Sequence, residues 1–204
     1  MSSPERILSP GSSVEQALRR GVADAIAVCE GLIDERSVGD LERVVRAVVS
    51  SLQGFGKLLL CGNGGSAADA QHLAAEMIGR FYLDREPLPA IALSDNVAAV
   101  TAIGNDYSYE DVFVRGVRAF GRPGDVLIGI STSGASRNVV AALDAAREIG
   151  LVTVALVGSE DCAMARTAMH TLCVHGPDTA RIQEGQMLVG HTLCELVERE
   201  ICGS

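Results

Sequence analysis

The sequence predicts an α/β fold: an open, mainly parallel five-stranded sheet flanked by helices, with a helical arm ahead of it. Three observations carry this expectation. Short apolar runs alternate with segments of helical periodicity, which is the signature of parallel strands joined by right-handed crossovers. The runs themselves do not alternate with polar residues, as expected of strands covered on both faces. The chain of 204 residues, 48% hydrophobic, is long enough for one α/β domain with a sizeable core. No repeat of solenoid period and no low-complexity linker interrupts it, so residues 1–204 read as a single domain.

The elements follow in order. Residues 1–11 are polar, contain Pro4 and Pro10, and read as a flexible tail. Residues 12–54 form the arm. Val14, Leu18, Val22, Ile26 and Leu32 recur at helical spacing, and a second helix over 37–52 carries Leu41, Val44, Val45, Val48 and Val49. Gly54 and Gly56 end it. Strands are expected at 57–61, 90–93, 125–130, 151–157 and 171–174. Helices are expected at 66–78, 96–104, 109–119, 136–149 and 161–168, with a long final helix over 180–201.

Two loops at strand ends suit a phosphorylated ligand. Ser131, Thr132, Ser133 and Ser136 surround Gly134 between the third strand and the next helix. A helix start offers unpaired N–H groups and a dipole that favours an anion, and the hydroxyls add donors. The plainer reading is a helix N-cap with ordinary loop serines. Asn63, Gly64, Gly65 and Ser66 make the second loop, after the first strand. It is neither GxGxxG nor a Walker loop, and its glycines permit close backbone approach to a ligand.

Four side chains could carry acid/base or metal chemistry. His72 and Glu76 are four apart and share a helix face, with Arg80 one turn further. Gln183 and His191 are eight apart on the last helix, roughly 80° around its axis. A surface His/Glu pair and a core-edge His are the plainer readings. His170 and His175 flank the fifth strand without such a pattern and read as solvated.

These stretches carry a resemblance. CGNGGSAADAQHLAAEMIGRF (61–81), LPAIALSDN and AIGNDYSYEDVF within 88–113, GDVLIGISTSGAS (124–136) and RIQEGQMLVGH (181–191) resemble a sugar isomerase (SIS) domain, and specifically the bacterial phosphoheptose isomerases. The likeness covers nearly the whole chain. It implies a SIS-type, flavodoxin-like sheet and isomerisation of D-sedoheptulose 7-phosphate to D-glycero-D-manno-heptose 7-phosphate, for heptose nucleotide-sugar biosynthesis. It implies that Ser131, Thr132, Ser133 and Ser136 hold phosphate. Asn63, Gly64, Gly65 and Ser66 would line the sugar, Asn105 and Asp106 would contact its hydroxyls, and Arg80 would help shape the site. His72, Glu76, Gln183 and His191 would form a zinc site, one ion per subunit, with Gln183 also near substrate. Glu76 and His191 would be the acid/base pair. A ligand carboxylate is a poorer base, so the metal and acid/base readings of Glu76 compete. Some family members carry an acidic residue just before the RIQE stretch, where this chain has Ala180. The resemblance also implies a homotetramer with helical arms packed between protomers.

Composition bounds the alternatives. A net charge of −9 with no basic run argues against nucleic acid, and 3% aromatic residues with no Trp against base stacking. Six cysteines without CxxC spacing read as reduced thiols, and no apolar stretch reaches membrane length, so a cytoplasmic protein that spans no membrane is expected. AQHLAA and LPAIAL also resemble SIS-fold proteins that bind the bacterial replication initiator. Those lack the catalytic Glu and His, whereas Glu76 and His191 are present here. A SIS transcriptional regulator would need a DNA-binding module for which neither length nor charge leaves room.

Overall fold

A computed structural model describes residues 13–203. The expected tail at 1–11 and the first residue of the arm lie outside the described residues. Two helices, α1 (Val14–Gly31) and α2 (Glu35–Gln53), precede the sheet. Ser13 caps α1 in a reciprocal capping box with Gln16, and Asp34 caps α2 through the N–H groups of Arg36 and Ser37.

The strands are β1 (Leu58–Gly62), β2 (Ala90–Ala92), β3 (Val126–Ser131), β4 (Val152–Val157) and β5 (His170–Cys173), each bound within one residue of expectation. All pair in parallel, in the order β2-β1-β3-β4-β5. The intervening helices are α3 (Gly65–Ile78), α4 (Val97–Asp106), α5 (Val112–Phe120), α6 (Arg137–Glu148), α7 (Ala163–Thr167) and α8 (Thr179–Cys202). The helix expected over 109–119 is split: Tyr109–Asp111 is a 3-10 turn, capped by Ser108, that leads into α5.

The pleat sends alternate residues to two separate cores. Leu58, Leu60, Val126, Ile128, Val154 and Leu156 face α2, α3 and α8. Leu59, Leu127, Ala155 and Val157 face α5, α6 and α7. Both faces are therefore apolar, which explains why the strands lack polar alternation. The sequence groups both helices into one arm ahead of the sheet, and the structure separates them. Val44, Val45 and Val48 of α2 are buried in the chain's own core. Val14, Leu18, Val22 and Ile26 of α1 remain 73%, 67%, 50% and 53% exposed.

The two rims of the sheet differ in kind. At the N-terminal rim buried Asp125 accepts from the N–H of Lys57 at 2.9 Å, its Nζ at 2.6 Å and the N–H of Arg122 at 2.8 Å, tying the starts of β1 and β3 together. At the C-terminal rim the register aligns Gly62 with Ile130, Ser131 with Val157 and Val157 with Cys173. The loops after these four strands thus emerge side by side. Strand order reverses direction between β1 and β3, and open α/β sheets bind ligands at such a crevice.

Candidate active site

The two sequence-predicted loops flank that crevice. Among the helices that follow a strand, α4, α7 and α8 start on a side-chain cap from Asn96, Cys162 and Asp178. α3 and α6 do not: their cap positions, Gly64 and Ser136, make no side-chain cap bond. Two helix N-termini on adjacent strands thus keep donors for a ligand.

In the loop before α6, Ser131 Oγ lies 3.0 Å from Ser136 Oγ and 3.4 Å from Ser133 Oγ, and it accepts from the N–H of Gly134 at 3.2 Å. Ser131 is buried, Thr132 and Ser136 half-buried, and Ser133 exposed. The three serine hydroxyls converge on one point. Gly134 has φ +62°, and a β-carbon there would stand 2.3 Å from Cys162 Sγ, so only glycine lets the loop close this tightly.

In the loop before α3, Asn63 and Asn138 bond reciprocally, each amide nitrogen 2.8 Å from the other's oxygen. Tyr109 donates its hydroxyl to Asn63 Oδ1 at 3.0 Å. Asn138 is buried at the start of α6, so this pair ties the two loops together. Sequence reading missed Asn138 and Tyr109. For Asn138 the available signal was an amide followed by Val139 and Val140 in the first turn of a helix.

His72, Glu76 and His191 come together between α3 and α8. His72 Nε2 is 2.9 Å from His191 Nε2 and 3.4 Å from Glu76 Oε1. One ligand atom of each lies within 4.8 Å of the others. Leu73 allows this closeness by packing on Gly190, where a β-carbon would stand 2.7 Å from it. Two imidazoles and a carboxylate form an N/O donor set that fits an ion of the zinc class. Gln183 stands on α8 about two turns before His191. Its amide lies against Gly65, where a β-carbon would stand 2.5 Å from it, and donates to Asp69 Oδ2 at 2.8 Å. It therefore borders the Asn63–Ser66 loop. Asp69 is a further residue missed, although 69, 72 and 76 share one face of α3. Burial pushes its carboxyl up, and the Gln183 amide and His72 draw it partway back.

A buried clamp holds this pair of helices. Glu198 of α8 accepts from the N–H groups of Phe81, Tyr82 and Leu83 at 2.9, 2.7 and 2.9 Å, and from Arg85 Nε at 2.8 Å. Arg85 also donates to the carbonyls of Glu76 and Met77 at 3.0 and 2.9 Å. Phe81 stacks on His191 with ring centroids 5.7 Å apart. Arg80 is exposed and makes no side-chain bond among the described residues. Asn105 bonds to Asp106 at 2.8 Å at the exposed end of α4.

Comparison with known proteins gives the family. The family model described as SIS domain matches residues 22–158, which makes the chain a sugar isomerase (SIS) domain protein. The phosphoheptose isomerase of Akkermansia muciniphila is 50% identical over 165 residues, 81% of this chain and 87% of its own. That of Burkholderia pseudomallei is 45% identical over 187 residues, 91% of this chain and 95% of its own. Among solved structures, a phosphoheptose isomerase from Neisseria gonorrhoeae matches with 39% identity and a TM-score of 0.83, over 91% of this chain and 99% of its own. Another, from Francisella tularensis, matches with 31% identity and a TM-score of 0.87, over 92% of this chain and 100% of its own. The chain belongs to the phosphoheptose isomerase family.

Proposed function

We propose that the chain converts D-sedoheptulose 7-phosphate to D-glycero-D-manno-heptose 7-phosphate. The observation that carries this reading is a His/Glu/His group on α3 and α8, in a chain that also offers two helix starts without side-chain caps at one sheet rim. A sugar phosphate needs one end held and the other end worked on. The hydroxyls of Ser131, Thr132, Ser133 and Ser136 hold the phosphate. Asn63, Gly64, Gly65, Ser66 and Gln183 line the sugar, with Arg80, Asn105 and Asp106 closing around it.

Isomerisation moves one proton between carbons and one between oxygens. In the open-chain ketose, Glu76 removes a proton from C1, and the electron pair of that bond forms the C1–C2 double bond of an enediol(ate). The carbonyl oxygen on C2 gains a proton. Return of a proton to C2 and loss of one from the C1 hydroxyl leaves the aldehyde. His191 serves the oxygens or opens the ring. Zinc, one ion per subunit, would be held by His72, Glu76 and His191, with Gln183 as the fourth residue of the set, and would supply carbonyl polarisation.

The same reading makes the enzyme a homotetramer in the cytoplasm. Val22 and Ile26 of α1, with Leu188 of α8, line an apolar groove that a second copy would cover. The cysteines are all free thiols, as in a reducing compartment. Incubation of purified protein with sedoheptulose 7-phosphate, followed by NMR, tests the activity. Appearance of the aldoheptose signals is expected, and an unchanged spectrum overturns the assignment.

A further inference from the structure

A second group of donor side chains stands at the same rim, at the far end of the sheet. Glu160 lies in the loop after β4, Cys173 ends β5, and His175 lies two residues beyond. Among the described residues, this and the His72 group are the two clusters of mixed ligand type. His175 Nε2 is 3.6 Å from Glu160 Oε2 and 3.6 Å from Cys173 Sγ. One ligand atom of each lies within 4.8 Å of the others.

The first spacing is too long for a hydrogen bond, which holds nitrogen and oxygen at about 2.7–3.2 Å. It is within reach of the spacing that donors take when they share a metal. Bonds of about 2.0–2.1 Å to nitrogen or oxygen and about 2.3 Å to sulfur, at tetrahedral angles, separate the donors by about 3.4–3.6 Å. The three side chains thus gather their donor atoms around a common centre. Arg36 Nη1 bonds the other carboxylate oxygen, Glu160 Oε1, at 3.1 Å. That leaves Oε2 turned to the centre, the arrangement in which an outer partner orients a ligating carboxylate. His175 is exposed, so the fourth direction is open to water.

We propose that Glu160, Cys173 and His175 bind a second divalent ion of the zinc class, at a site separate from the acid/base group. One thiolate, one imidazole and one carboxylate select such an ion over magnesium or calcium, which take oxygen donors. Binding displaces the Cys173 thiol proton, so one proton leaves for each ion bound. The ion would clip the 158–162 loop to the end of β5. That loop already touches the phosphate loop, because the N–H of Gly158 donates to the Thr132 carbonyl at 3.1 Å.

Cobalt(II) distinguishes the two sites, because only this one contains sulfur. Full-length protein is stripped with a chelator and titrated with cobalt chloride alone, reading the near-ultraviolet sulfur-to-cobalt charge-transfer band and the number of ions bound. The wild type should develop the band and release a proton as it grows. Cys173→Ser should lose the band and one equivalent of cobalt. His175→Ala, which alters an exposed residue and leaves the fold intact, should weaken the same binding step at least tenfold. A wild type without the band overturns the proposal, as does a band that persists unchanged in Cys173→Ser. Neither result depends on catalytic activity, so the isomerase reading stands or falls separately.

Discussion

Arg85 and Glu198 form an ion pair at 2.8 Å with side chains only 3% and 1% exposed. The pair also satisfies three backbone N–H groups after α3 and two carbonyls at its end, one of them that of Glu76. It thus sets where the Glu76 end of α3 sits against α8.

Removing one partner of such a buried pair leaves the other uncompensated, so Glu198→Gln should cost about 3–5 kcal/mol of stability at neutral pH. Burial pushes the Glu198 carboxyl up, but the Phe81, Leu83 and Tyr82 N–H groups and Arg85 outweigh it and hold it below the usual range. A lowered folded value means that the stabilisation is present above the unfolded carboxylate pKa, about 4.3, and lost as pH falls through the folded one. Denaturant unfolding of wild type and variant at neutral and acid pH should show the gap closing on acidification. A gap that stays constant would contradict this linkage.

Glu76→Gln keeps the shape of the side chain and removes its basicity. Turnover should fall by about 10²–10⁴-fold, the range for a lost general base. Melting temperature and inhibition by inorganic phosphate should change little, since the Ser131–Ser136 loop proposed to hold phosphate stands between β3 and α6, away from Glu76. Near-normal turnover in the variant would remove Glu76 from the role of base.

Replacing Ser131 and Ser133 together with Ala should weaken sugar-phosphate binding, with each lost charge-assisted bond worth about 1.5–3 kcal/mol. Ser131 also receives the Gly134 N–H, so the loop itself should loosen. Calorimetry with sedoheptulose 7-phosphate reads the change. Unchanged affinity would place the phosphate elsewhere.

Extensive chelation should lower activity, and added zinc should restore it, if the His72, Glu76 and His191 set holds the ion as proposed. Elemental analysis must accompany the assay. Full turnover in protein shown to be metal-free would leave Glu76 and His191 with acid/base roles alone.

Ile26→Glu places a charge on the exposed apolar stripe of α1, where the side chain is solvent-facing within one chain. The variant should fold but fail to assemble, giving a smaller particle by light scattering and reduced activity. A wild type that is itself an active monomer would refute the shared assembly.

Sequence alone determined the fold class, because covering a parallel sheet on both faces demands uninterrupted apolar runs separated by amphipathic helices. It also exposed the Ser131–Ser136 loop and the His72/Glu76 pair, since both depend on local spacing along one element. What it could not contain was position across elements. That His191 meets His72 while Gln183 turns to Asp69 follows from how closely α3 and α8 pack at Leu73 and Gly190. The link between Asn63 and Asn138, 75 residues apart, exists only because β1 and β3 are neighbours. The Arg85–Glu198 clamp and the group of Glu160, Cys173 and His175 have the same origin. His175, which looks like a solvated residue in the sequence, gains neighbours only when β4 and β5 end side by side. Periodicity records which face a residue occupies, whereas the partner across that face is decided by strand order and helix packing.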